Sequence, residues 1–140
     1  MENNLMIQVM GNQGKILIID DVSSHLLLLQ TILQDEGYDT EIADNPQKGL
    51  ELLTKNKYQV LLLDIMMPGM DGFQMLEEIK KNDNLKKLHV IIISAKTDSW
   101  SIKNAMDRGA FDYLTKPINI QDIKNKVKSA MVENVLGDDD

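Results

Sequence analysis

Val60-Leu61-Leu62-Leu63-Asp64-Ile65-Met66-Met67-Pro68-Gly69-Met70-Asp71-Gly72 is the stretch on which the fold turns. Four apolar residues run into one carboxylate, and Pro68, Gly69 and Gly72 force the chain to turn directly afterwards. A short continuous apolar run bounded by a turn reads as a strand buried on both faces, the signature of a parallel sheet. Asp64 then stands at the carboxyl end of a central strand, where open α/β sheets place their ligands. The plainer reading, that Asp64 only starts a turn or caps the next helix, must be weighed against the rest of the chain.

Working outward, Lys15-Ile16-Leu17-Ile18-Ile19 is a second run of the same kind, and it ends in Asp20-Asp21. Val22, Leu26, Leu29 and Leu33 repeat at helical spacing, with Leu28 and Ile32 widening the stripe. Ser23 or Ser24 is the expected cap, and Gly37 the stop. Residues 38–43 alternate Tyr38, Thr40 and Ile42 with Asp39 and Glu41, the pattern of a half-exposed edge strand. Asn45-Pro46 opens a short helix whose expected buried side is Leu50 and Leu53. Phe73, Leu76 and Ile79 mark a third helix. Val90-Ile91-Ile92-Ile93 is another buried strand, ending in Ser94-Ala95-Lys96. Asp98 or Ser99 caps a fourth helix with Ile102, Ala105, Met106 and Gly109 on its inner face. A short last strand over 111–114 leads to Thr115-Lys116-Pro117. Asn119, with Asp122 three residues on, caps a fifth helix carrying Ile120, Ile123, Val127, Ala130, Met131 and Val135. Strand and helix alternate five times, which predicts a doubly wound parallel sheet with helices on both faces.

The chain of 140 residues suits one domain, here expected over 15–136, with a flexible leader over 1–14 and an acidic tail over 137–140. Its 43% hydrophobic content supplies a core, and its 26% charged content marks an ordinary soluble protein. A net charge of −7 argues against direct nucleic-acid binding by this domain, because phosphate contacts need Lys and Arg. Without Cys there are neither disulfides nor thiolate metal sites, which fits a reducing, cytoplasmic setting. No apolar run approaches the roughly 20 residues of a membrane helix, so no membrane insertion is expected. The first residues lack the pattern of a signal peptide.

Polar groups occupy four strand ends: Asp20-Asp21, Asp64, Ser94 and Lys116. In a parallel sheet all carboxyl ends share one edge, so residues far apart in sequence meet at one crevice. Three carboxylates placed together repel, and burial sharpens the repulsion. A cation would relieve it, and an oxygen-only set suits Mg²⁺ or a similar hard ion. Lys116 adds a mobile positive charge and Ser94 a hydroxyl, which together make a place for a phosphoryl group on or near a carboxylate. Each residue alone has an ordinary structural use; their joint occurrence at four strand ends does not.

Ile19-Asp20-Asp21, Asp64-Ile65-Met66-Met67-Pro68 with Gly72, Ser94-Ala95, Gly109-Ala110 and Lys116-Pro117, in that order, resemble the receiver domains of two-component response regulators. The resemblance runs from about Lys15 to Val135. It implies an α/β, flavodoxin-like fold with five helices and strand order 2-1-3-4-5. It implies that Asp64 accepts a phosphoryl group from a histidine kinase or a phosphotransfer protein. Asp20, Asp21, Asp64 and the Met66 backbone carbonyl would hold Mg²⁺, with Asp21 the direct ligand of the acid pair. Lys116 would pair with the phosphoryl oxygens and Ser94 would hydrogen-bond them. Tyr113 would change rotamer with Ser94, its ring swinging inward. The face built by the fourth helix, the last strand and the fifth helix would then meet an output partner or a second copy of the domain. On this reading the chain is a switch that assists its own phosphorylation, not an enzyme acting on a separate substrate. His25 and His89 read as ordinary helix and loop residues, and Trp100 as surface packing or part of a contact face.

Three other readings compete. An aspartyl-phosphate hydrolase of the haloacid dehalogenase type wants a second Asp two residues after the nucleophile, where this chain has Met66. A flavodoxin-like cofactor binder wants phosphate donors in its first loop, where Asp20-Asp21 would repel the phosphate. A receiver-like scaffold that is never phosphorylated has no need of the intact acid set.

Overall fold

The computed structural model describes residues 14–137; residues 1–13 and 138–140, which take in nearly all of the expected leader and the acidic tail, lie outside the described residues. The strands are β1 (Lys15–Ile19), β2 (Asp39–Ala43), β3 (Val60–Asp64), β4 (His89–Ser94) and β5 (Asp112–Thr115). The helices are α1 (Ser23–Asp35), α2 (Pro46–Lys55), α3 (Gly72–Lys81), α4 (Ser99–Asp107) and α5 (Ile120–Gly137). The strands form one parallel sheet in the order β2-β1-β3-β4-β5, as expected, with β2 at an edge.

The apolar runs are continuous because the sheet is covered twice. Leu17, Ile19, Leu61, Leu63, Val90 and Ile92 face one layer with Leu53 of α2, Leu76 and Ile79 of α3 and Ala105 of α4. Their neighbours Ile16, Ile18, Val60, Leu62, Ile91 and Ile93 face the other with Leu29 and Leu33 of α1 and Ile123 and Val127 of α5. Alternate residues of a strand point to opposite faces, so a strand needs apolar residues at every position only when both faces are dry. Each fully buried Leu or Ile contributes roughly 1.5–3 kcal/mol relative to exposure. Register carries this alignment to the strand ends: Ile19 lies beside Leu63, Asp64 beside Ile93, and Ser94 beside Thr115. The residues that follow β1, β3, β4 and β5 therefore leave the sheet at one edge.

Several local expectations need correction. Neither Ser23 nor Ser24 caps α1; the cap position is Val22, which has no capping side chain, and its N–H donates to Asp20 Oδ1 instead. Val22 and Leu28 are exposed rather than buried on α1. On α2 the buried positions are Pro46, Gly49 and Leu53, and Leu50 is exposed. Helix α2 crosses so near β1 that a Cβ on Gly49 would lie 2.3 Å from Ile19 Cδ1, so a larger residue there requires the Ile19 side chain to shift. On α4 Met106 is exposed and Ser101 is buried, its N–H and hydroxyl both donating to Asp98 at the cap. The other caps follow expectation: Asn45 accepts from the Lys48 N–H at 2.8 Å and Asn119 from the Asp122 N–H at 2.9 Å.

Candidate functional site

The carboxyl edge of the sheet gathers Asp20, Asp21, Asp64 and Lys116, as the sequence predicts. Asp20 and Asp64 are almost wholly buried, at 1% and 3% exposure, whereas Asp21 is exposed at the rim. One carboxylate oxygen from each of the three acids lies within 4.8 Å of the others. Lys116 reaches in from the loop after β5, its side chain 18% exposed, with Nζ 3.2 Å from Asp64 Oδ2 and 3.4 Å from Asp20 Oδ2. The second oxygen of each buried acid is tied locally: Asp20 Oδ1 accepts from the Val22 N–H at 2.9 Å, and Asp64 Oδ1 from the Met66 N–H at 3.0 Å. Each carboxylate is thus aimed by the turn that follows its own strand.

The turn after Asp64 needs its glycine. A Cβ on Gly72 would stand 2.4 Å from Ile65 Cγ1 and 2.8 Å from Ile65 Cα. The start of α3 therefore packs directly on the residue that follows Asp64, and Asp71 caps that helix by accepting from the Phe73 and Gln74 N–H groups.

Burial pushes the Asp64 carboxyl above the ordinary aspartate range, and the charge of Asp20 adds to the rise. The Met66 N–H and Lys116 oppose it. A hard cation fits this donor set: three carboxylates, no sulfur, and a buried acid whose charged form lacks full compensation.

Ser94 is fully buried at the end of β4, and its Oγ accepts from the Lys96 N–H at 3.1 Å. Tyr113 lies on β5, beside Ile92. The expected inward swing of its ring finds that ring already inside. Tyr113 is 5% exposed within the core, and its hydroxyl donates to the Lys96 carbonyl at 2.9 Å. One residue, Lys96, therefore holds Ser94 through its N–H and Tyr113 through its C=O.

His25 corrects the reading of it as an ordinary helix residue. Its Nδ1 lies 3.1 Å from Lys116 Nζ and 3.3 Å from Asp20 Oδ2, so it belongs to the pocket. The signal available in the sequence was its place four residues after Asp21, on the first turn of the helix leaving that edge. His89 is structural: its ring stacks on Phe111 at 4.7 Å and its Nδ1 meets the Ala130 carbonyl at 2.9 Å. Trp100 is exposed and packs edge-on against Phe73 at 6.1 Å. A cleft of about 620 Å³ lined by Tyr58, Asn82, Lys87 and Asn134 opens at the opposite, amino edge of the sheet, away from the acids.

Comparison with known proteins agrees with this geometry. The profile of the response regulator receiver domain family matches residues 16–128, and the chain belongs to that family. The chain is similar to the response regulator ArlR of Staphylococcus saprophyticus, 32% identical over 117 residues, covering 84% of this chain and 52% of that protein. It is also similar to the sporulation initiation phosphotransferase F of Bacillus subtilis, 36% identical over 114 residues, covering 81% of this chain and 90% of that protein. Among solved structures, a CheY-like receiver domain protein of Methanospirillum hungatei superposes with a TM-score of 0.81 at 29% identity, covering 89% of this chain and 98% of that one. The chain spans about half the length of some curated relatives, 53% and 52% of two regulators. It is a receiver domain of the two-component type, a signalling phosphoacceptor by family. Among the described residues no helix is long and apolar enough to cross a membrane.

Proposed function

We propose that Asp64 is the phosphoacceptor of this receiver, taking a phosphoryl group from the phosphohistidine of a kinase or phosphotransfer protein. The observation that carries the proposal is one buried carboxylate flanked by a lysine and a buried acid at the carboxyl edge of the sheet. In the transfer, an Asp64 oxygen forms a bond to phosphorus as the P–N bond breaks. The electron pair stays on the donor imidazole, which then takes up a proton. The Met66 N–H holds Asp64 Oδ1 in place, so the side chain meets the donor already oriented. Lys116, now at Asp64 Oδ2, is within reach of the oxygens that arrive.

Asp20, Asp21, Asp64 and the Met66 carbonyl are the proposed Mg²⁺ ligands. When bound, the cation supplies positive charge against the acids and the incoming phosphoryl oxygens. Asp21, exposed at the rim of the cluster, is the proposed direct ligand of the acid pair. The domain promotes only its own phosphorylation and loss of phosphate; no separate substrate is assigned to it. A cytoplasmic place of action follows from the donor it needs.

The charge is read out through Lys96. If Ser94 Oγ turns to the phosphoryl oxygens, the Lys96 N–H loses its acceptor, and the carbonyl of the same residue holds Tyr113. Ser94 and Tyr113 are thereby coupled through one residue. The bistable element is the Lys96 segment, and a swing of Tyr113 starts from the buried position. The face affected is α4-β5-α5, the proposed contact for an output partner or a second copy.

Labelling tests the reading. Acetyl phosphate with Mg²⁺ should add one phosphoryl group, labile to hydroxylamine as an acyl phosphate is, and Asp64→Asn should abolish it. Label that persists in Asp64→Asn would place the acceptor elsewhere.

A further inference from the structure

His25 stands on the first turn of α1, directly after the acid pair. An ammonium group has three protons and no lone pair. The 3.1 Å approach of Lys116 Nζ to His25 Nδ1 is a hydrogen bond when Nδ1 is bare and the ring proton sits on Nε2; a proton on Nδ1 would instead face Asp20 Oδ2 at 3.3 Å. The ammonium then has three acceptors within 3.4 Å: Asp64 Oδ2, His25 Nδ1 and Asp20 Oδ2. Its three protons are matched by one acceptor from each of three elements of the fold.

The three acceptors are not equivalent. The two carboxylate oxygens belong to the acids that would also serve a hard cation, whereas a neutral imidazole is a poor ligand for such an ion. Ammonium and cation compete for Asp20 and Asp64, but not for His25. We propose that His25 is a positioning residue that gives the Lys116 ammonium a seat of its own, so that the acids can turn to a cation while the lysine stays beside Asp64. The inference rests on the reading of Asp20, Asp21 and Asp64 as cation ligands. Its energetic logic is differential: the bond to His25 counts for more once the carboxylates are engaged elsewhere, because the ammonium then has fewer acceptors left. Without His25, Lys116 leans on the acids alone and a cation must displace it from both.

The test compares Mg²⁺ affinity by calorimetry in the wild type, His25→Phe, which keeps a ring but no acceptor, and His25→Asn, whose Oδ1 stands near the place of Nδ1. His25→Phe should weaken binding about fivefold, a fraction of what a hydrogen bond to a charged group is worth. His25→Asn should bind like the wild type. In a Lys116→Met background His25→Phe should change nothing. Equal affinity in wild type and His25→Phe overturns the inference and leaves the cation reading standing. So does a loss that persists in Lys116→Met, since His25 would then act other than through the lysine. A wild-type chain that binds no Mg²⁺ overturns both. A second measurement needs no variant: nitrogen NMR of the His25 ring in mildly alkaline buffer should show the Nε2–H tautomer. A proton on Nδ1, shared with Asp20, overturns the inference whatever the variants do.

Discussion

Replacing Lys116 by Met removes a charge and keeps most of the apolar stem, so it isolates what the ammonium does for the acids. Its contacts at 3.2 and 3.4 Å each represent a gross attraction of about 5 kcal/mol at an effective dielectric of about 20. Most of that is offset by the desolvation of three ions. Removing one partner of a buried pair costs about 3–5 kcal/mol when the other stays charged and dry. Here the lysine is 18% exposed and the pocket opens at its Asp21 rim, so screening lowers the expected loss to about 2 kcal/mol. For a domain of this size that is a fall of about 8 °C in Tm. Mg²⁺ should restore more than it gives the wild type, because in the variant no ammonium competes for Asp20 and Asp64. At a hundred times its Kd the ion contributes about 2.7 kcal/mol. The pH dependence has a definite sign. Burial already holds the Asp64 carboxyl above its ordinary range, and loss of Lys116 removes one of the groups opposing that rise. A carboxyl raised in the folded state contributes stability below its unfolded value, about 3.9, and loses it as pH rises through the folded value. Asp64's share of the deficit should therefore be full at neutral pH and vanish on acidification. Thermal melts with and without Mg²⁺ across that range are the assay. A variant as stable as the wild type at neutral pH, with no larger Mg²⁺ response, would refute the reasoning.

Other substitutions probe the supports of the site. Gly72→Ala should cost about 1–3 kcal/mol by overpacking against Ile65 and should slow acetyl-phosphate labelling of Asp64, since the residue that must move follows the acceptor; unchanged melts and rates would contradict the close packing. Asn45→Ala should cost about 1 kcal/mol through the lost cap on α2 while leaving the labelling rate alone, because that helix start lies outside the acid cluster. Ser94→Ala should still accept phosphate on Asp64, yet blunt the change in amide exchange over residues 98–116; identical changes in the phosphorylated wild type and variant would take Ser94 out of the relay.

Those supports also divide what was legible in the sequence from what was not. Strands were legible because a doubly covered sheet forces apolar residues at every position, and a run such as Leu61-Leu62-Leu63 between polar turns suits little else. Asp20, Asp64 and Lys116 were legible for the same reason, since a parallel sheet delivers every strand's carboxyl end to one edge. Helix faces were less so. A stripe of leucines fixes a helix but not how much of it the sheet covers, and Leu28 and Leu50 fall outside the contact while Gly49, with no side chain, is inside it. The position of the Tyr113 ring was hidden because its partner is a backbone carbonyl, and any residue at position 96 would supply one. His25 was hidden because its role is set by how α1 leans over the pocket. The proposed role turns on a count: an ammonium beside two acids has a third proton to place, and a bare Nδ1 on the first turn of α1 would accept it. His25, on the first turn of the helix that leaves the acid edge, is thus the proposed third partner of the Lys116 ammonium.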